Sequence, residues 1–183
     1  MGSALATVLL VAASVPAGGL LIDPAASSVH YHLDHPMHHI DGESRQLEGK
    51  AVVKDDGTVL AMVRLPITSL RSGDANRDAH MLEVLEIGKF PFVVFKGVAR
   101  LGPGGALPGG PLAMQGEVEI HGVRRPVAVP LTVELEAGGA MRVRGGFQVS
   151  LEGHGIERPS LLFAKVDDAC RVDLDLQLRR EKP

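Results

Sequence analysis

Between residues 112 and 178 the chain alternates apolar with polar residues in four successive runs. That period of two restricts it to pleated strands with one oily face and one wet face. In the first run Leu112, Met114, Val118 and Ile120 alternate with Ala113, Gln115, Glu117 and Glu119, and Val127, Val129, Leu131, Val133 and Leu135 make the second. Met141, Val143, Phe147, Val149 and Leu151 then stand opposite Arg142, Arg144, Gln148 and Ser150, and Val172, Leu174, Leu176 and Leu178 opposite Asp173, Asp175, Gln177 and Arg179. A helix, turning every 3.6 residues, would scatter each set around its circumference.

The first half carries the same signature with one interruption. Residues 27 to 35 alternate Val29, Tyr31 and Leu33 with His30, His32 and Asp34. Segments 47 to 53 and 59 to 67 continue the pattern, and 92 to 99 returns to it. Between them, over residues 73 to 87, Arg77, His80, Met81, Val84 and Leu85 fall at helical spacing, with Asp74 as N-cap and Pro91 closing the segment. Residues 103 to 111, rich in Gly and Pro, form an exposed loop because the pattern is the same on both sides. The expectation is an all-β domain of eight antiparallel strands and one short helix. Closing such a sheet into a barrel hides its oily face and its edges together, with a two-layer sandwich as the alternative.

A chain of 183 residues, 45% hydrophobic, suits one compact domain with a real core. A net charge of -3, no Trp and a single Tyr give neither the basic footprint nor the stacking platforms that nucleic-acid binding uses. Cys170 is the only cysteine, which excludes an internal disulfide, and it reads as a small buried hydrophobe. Residues 4 to 17 are uncharged and apolar, too short to span a bilayer, and end in small residues at Val15, Pro16 and Ala17. They resemble a signal peptide over residues 1 to 19, which places the domain over 20 to 183 and the protein in the periplasm or outside the cell. No Lys or Arg precedes the run. A buried N-terminal segment is the other reading. No later segment is long and apolar enough for a membrane helix, so an integral membrane protein is not expected.

An eight-stranded barrel has an interior that side chains can just fill or that can hold one slender ligand. Val118, Ile120, Leu131, Val133, Phe147, Val172 and Leu174, on the inward faces, are the residues expected to line it. Gly49, Gly116 and Gly145 fall on the same faces; they either leave room in the lumen or mark bends that let the barrel curl. Arg77 and His80, on neighbouring helical turns, could meet a polar head group at the mouth. Alternatively Arg77 and Asp78 fix the helix start. Five of the eight histidines lie between His30 and His39. His30 and His32 would point the same way, and His35, His38 and His39, taken to lie in the turn, could complete a metal site. Alternation favours a solvated histidine face instead, and no metal or other cofactor is expected. No nucleophile elbow, phosphate loop or His-Glu-x-x-His helix is present, and adjacent Asp167 and Asp168 would point to opposite faces of a strand. The expected function is binding, not catalysis.

Three segments resemble a known family. Residues 22 to 29, Ile-Asp-Pro-Ala-Ala-Ser-Ser-Val, with Tyr31, Leu33 and His35, are similar to the opening strand of the YceI-like, polyisoprenoid-binding, lipocalin-like proteins. Ser69 to Met81, reading SLRSGDANRDAHM, resembles that family's turn with its Arg-Asp-x-His element, followed by Phe90, Pro91 and Phe95. Gly116 to Val127, GEVEIHGVRRPV, is similar to its most recognisable strand. The chain departs from the family at Ala26, where His is common, at Leu20, where an aromatic is usual, and in the SLEGHGI stretch from Ser150, which lacks an Arg and an Asp-Phe-Gly. The resemblance covers about residues 20 to 178 and implies an exported, lipocalin-like barrel whose apolar tunnel holds an isoprenoid chain. The rivals are a histidine-rich metal-binding protein and a solidly packed barrel acting through its loops. Exposed strand edges at an imperfect closure would permit a homodimer.

Overall fold

The computed structural model describes residues 14 to 161 and 164 to 181. The expected signal segment therefore lies mostly outside the described residues. The strands are β1 (Gly18–Ile22), β2 (Ser28–His35), β3 (His38–Ser44), β4 (Glu48–Val53), β5 (Thr58–Pro66), β6 (Phe92–Arg100), β7 (Leu112–Ile120), β8 (Val123–Leu135), β9 (Met141–Ser150), β10 (Ser160–Leu161), β11 (Ala164–Lys165) and β12 (Ala169–Arg180). One helix, α1 (Ala75–Val84), joins β5 to β6.

Every ladder is antiparallel, and the order β1-β4-β5-β6-β7-β8-β9-β12 closes on itself because β12 also pairs with β1. The barrel is therefore eight strands round, and the expected sandwich alternative is set aside. Two of its eight staves are broken in two. The long strand β12 pairs with β2 through residues 170 to 175 and with β1 through 178 to 180, while β2 pairs onward to β3 and β1 to β4.

Each break is repaired by a serine. Between β1 and β2, Asp23 caps a 3-10 turn through Pro24. Ser27, 1% exposed, donates from its hydroxyl to the Asp23 carbonyl (2.7 Å) and accepts from the Gln177 amide (2.9 Å). Between β3 and β4, the Ser44 hydroxyl accepts from the Gln46 amide (3.1 Å) and lies 2.6 Å from that of Ser69. Backbone groups that the ladder leaves without partners are thus still satisfied, as burial demands. Beyond the Ser44–Ser69 hydroxyl contact, the free side of β3 is held by one bridge, where Glu43 and Arg71 exchange two backbone hydrogen bonds of 2.9 Å.

Besides the separate β10–β11 ladder, two strands of the barrel lay outside the expected eight. β1 follows directly on the apolar N-terminal run, and β3 carries one large apolar residue, Ile40. On the same face stand Gly42, covered by the Tyr31 ring directly across the ladder, and Ser44. His38 and His39 consequently begin β3 and do not lie in a turn; the connection from His35 is the two residues Pro36 and Met37. The other boundaries agree within a few residues, with α1 shorter than expected and capped at Asp74, whose carboxylate accepts from the Asn76 and Arg77 amides.

The core fills the base of the barrel and the rim beneath α1. Ile67 is fully buried and Leu47 is 1% exposed, each worth roughly 1.5–3 kcal/mol against an exposed state. A second cluster at the rim joins Val118, Val149 and Cys170 with Leu33, Ile120 and Leu151. Burial there pushes the Cys170 thiol up to about 11 and, with Asp78 nearby, the Tyr31 phenol up to about 12. Both groups are neutral acids whose folded pKa lies above the unfolded value, so the stability they contribute is complete below the unfolded pKa and drains away as pH rises toward the folded one. In mildly alkaline buffer a thiol-specific reagent should leave Cys170 untouched until denaturant is added; full labelling of the native protein would show that the rim cluster does not exist.

Candidate functional site

Inward side chains behave differently at the two ends of the barrel. At the base, Val15, Val53, Val59, Leu101, Leu112 and Met141 are buried against one another. Toward α1, Val63, Val93, Phe95, Phe147, Val172 and Leu174 also point inward yet stay half-buried. An inward residue keeps exposure only when nothing occupies the space before it. That space amounts to about 1210 Å3 free of protein atoms, counting the part open to solvent. Its wall is aliphatic apart from Phe95 and Phe147, with Lys50 and Arg64 touching its margin. Small-ligand sites are mostly apolar with few polar groups, and this lining has that character.

The glycines of the inward faces do not create this space. A side chain on Gly49 would strike the Met62 carbonyl at 2.7 Å, one on Gly145 the Pro130 carbonyl at 2.6 Å, and one on Gly116 the Lys96 carbonyl. All three mark places where a neighbouring strand passes too close for any Cβ, which is how a small barrel curls. The bend reading of these glycines holds, and the hollow owes its existence to the modest size of Val, Ala and Leu around it.

Six expected lining residues, Val118, Leu131, Val133, Phe147, Val172 and Leu174, border the cavity. Ile120 packs instead in the rim cluster. Sequence reasoning missed the lining from the first half, including Val29, Val63 and Phe95, although the same alternation runs through those segments. The base residue Val15 was also missed, because its neighbours read as a leader.

α1 lies across the open end with Met81, Leu82 and Leu85 against the core cluster. Arg77 and Asp78 hold its start. The Arg77 Nε donates to the Ser72 hydroxyl (2.9 Å) and its Nη2 to the Ser72 carbonyl (3.1 Å), while the Asp78 carboxylate accepts from the Ser72 amide (2.9 Å) and hydroxyl (2.6 Å). Neither residue borders the apolar space. His80 is on the exposed side of the helix, 3.8 Å from Glu83.

The histidine-rich hairpin forms pairs with carboxylates. His32 lies 2.5 Å from Asp41 and 3.1 Å from Asp173, and His39 lies 2.5 Å from Asp34, whose hydrogen bond raises the His39 pKa. His35 is 5% exposed, its Nε2 directed at the Ala164 carbonyl and its Nδ1 accepting from the Met37 amide. Among the described residues no three His, Cys, Asp or Glu side chains are grouped to hold a metal ion. Asp168 is a turn residue accepting from the Ser150 hydroxyl and the Glu152 amide, and Asp167 donates its amide to the Asp34 carbonyl. No helix among the described residues is long and apolar enough to cross a membrane.

Comparison with known proteins gives a consistent picture. The family described as YceI-like domain matches over residues 21–178. No curated protein matches. Among solved structures, BcnA of Burkholderia cenocepacia is 17% identical, with a TM-score of 0.72, over 85% of this chain and 98% of that one. A polyisoprenoid binding domain from Saccharophagus degradans, implicated in plant cell wall breakdown, is 12% identical with a TM-score of 0.66, over 88% of this chain and 98% of that one. The YCEI protein of Campylobacter jejuni is 13% identical with a TM-score of 0.59, over 79% and 86% respectively. At such identities the likeness is one of fold.

Proposed function

The chain belongs to the YceI-like family, and from that footing we propose that it binds a long apolar lipid, a polyisoprenoid, inside its barrel. The observation that carries this reading is the empty apolar lumen beneath α1, whose walls stay half-exposed because no side chain reaches across. Enclosing hydrocarbon is worth about 0.8 kcal/mol per methylene, so a few isoprene units supply useful affinity without a polar contact. Val118, Leu131, Val133, Phe147, Val172 and Leu174 are the proposed ligand contacts. Arg77, which uses two groups on Ser72 at the start of α1, keeps donors that would meet a diphosphate or quinone head. His80 is near enough in sequence to assist. The apolar run before Ala17 supports export, which would place the work in the periplasm or beyond.

The reading is a binding role with no catalytic step, and the barrel is a carrier, a store or a sensor. Native mass spectrometry of the protein purified gently from its own host tests it. The expected spectrum shows a prenyl lipid at close to one per chain. An apo barrel, or one carrying zinc or copper and no lipid, would overturn it.

A further inference from the structure

We infer that the strap Ser14–Ala17 is the floor of the lumen, and that Val15 sets the greatest length of chain the barrel can enclose. This deepens the lipid reading and rests on it for the class of ligand. The strap crosses the base of the barrel. Val15 is 4% exposed and borders the cavity itself, beside Leu101, Leu107 and Leu112. Its amide donates to the Gly105 carbonyl (2.8 Å), and Ser14 pairs with Ala106 in the same loop. On the far side, the Arg180 guanidinium donates to the Pro16 carbonyl (3.0 Å) and the Ala17 carbonyl (3.3 Å). Four residues are thus tied to two opposite parts of the base, with one apolar side chain turned into the hollow.

Gly105 is shaped for this contact. Its φ is +78, and a Cβ there would collide with the Val15 carbonyl, so the loop can approach the strap only as glycine. The strap also coincides with the residues at which the sequence resembles a leader cleavage site. Processing after Ala17 would remove Val15 and with it this floor, leaving the base to Leu101, Leu107 and Leu112. Chain-length selectivity would then differ between the unprocessed and the processed protein.

The test keeps the full chain and displaces the strap from two sides. Val15→Asp puts a carboxylate where the surroundings are hydrocarbon, which expels the strap from within; Gly105→Val pushes it off from the loop. Affinity is measured for all-trans prenols of increasing length and, in parallel, for straight-chain alcohols. In the parent, affinity should climb with each added unit and then level off where the chain end meets Val15. In both variants the plateau should move outward by at least one isoprene unit, so that the first chain too long for the parent binds about tenfold tighter or more. A plateau at the same length in parent and variants overturns the floor. A shifted plateau with alcohols but no binding of prenols leaves the floor standing and removes the isoprenoid reading. If neither series binds the parent, both fall.

Discussion

Leu174→Trp is expected to weaken prenyl-chain binding by about a hundredfold or more while the protein still folds. Leu174 is inward, half-buried, and borders the hollow, with Gly145 across the ladder on β9 and Val29 across it on β2. An indole at this position occupies space that a ligand would fill. Each excluded methylene forfeits about 0.8 kcal/mol, and a few of them account for two decades of affinity. Overpacking normally costs about 1–3 kcal/mol, but that figure applies to filled cores, and here the added ring enters a void. The natural chain has no Trp, so the new indole is also a unique fluorescent reporter of the lumen. Titration with a prenol, alongside thermal unfolding of parent and variant, gives the answer. A variant that binds as tightly as the parent would remove the lumen from consideration as the site.

Gly116→Val should destabilise the fold by about 3 kcal/mol or more, at the upper end of what single substitutions do. The obstruction is backbone, which cannot step aside as a flexible side chain can. A Cβ at this position would meet the Lys96 carbonyl, the Gly97 Cα at 2.8 Å and the Phe95 ring at 3.0 Å. For a domain of this size each kcal/mol moves the melting temperature by about 2–4 °C, so a fall of roughly ten degrees is expected. Gly109→Ala provides the contrast, since nothing lies within 4 Å of a Cβ there and urea unfolding should hardly change. Equal stability of the two variants would mean that β6 and β7 do not approach as described.

The barrel was legible in the sequence because its signal is long and redundant: each of the eight staves contains a run in which inward and outward residues alternate. The helix was legible from a change of period and a capping aspartate. What escaped did so for local reasons. β3 places Gly42 and Ser44 on the same face as Ile40, so that face carries a single hydrophobic mark, and its place is fixed by the Tyr31 ring and by Ser69, residues far along or across the chain. The choice between two meanings for Gly49, Gly116 and Gly145 depended on a neighbouring strand's backbone, which no period reveals. Ile120 has the right parity for the lumen but too high a level in the barrel, at the rim with Cys170. Parity is written in the sequence and height is not. Arg77 and Asp78 were legible as a pair, but only three-dimensional contact with Ser72 shows how they anchor the helix across the opening.

The two broken staves give the molecule unequal ends. At the base, ladders of β1 with β4 and β12 close the wall without a gap. Near α1 the ladders of β2 with β12 and β3 also run unbroken, but the free side of β3 is held by the Ser44–Ser69 hydroxyl contact and the Glu43–Arg71 bridge, where few bonds must yield. A wall so built is expected to part first along that seam, which would let a slender apolar ligand pass while the rest of the barrel stays closed.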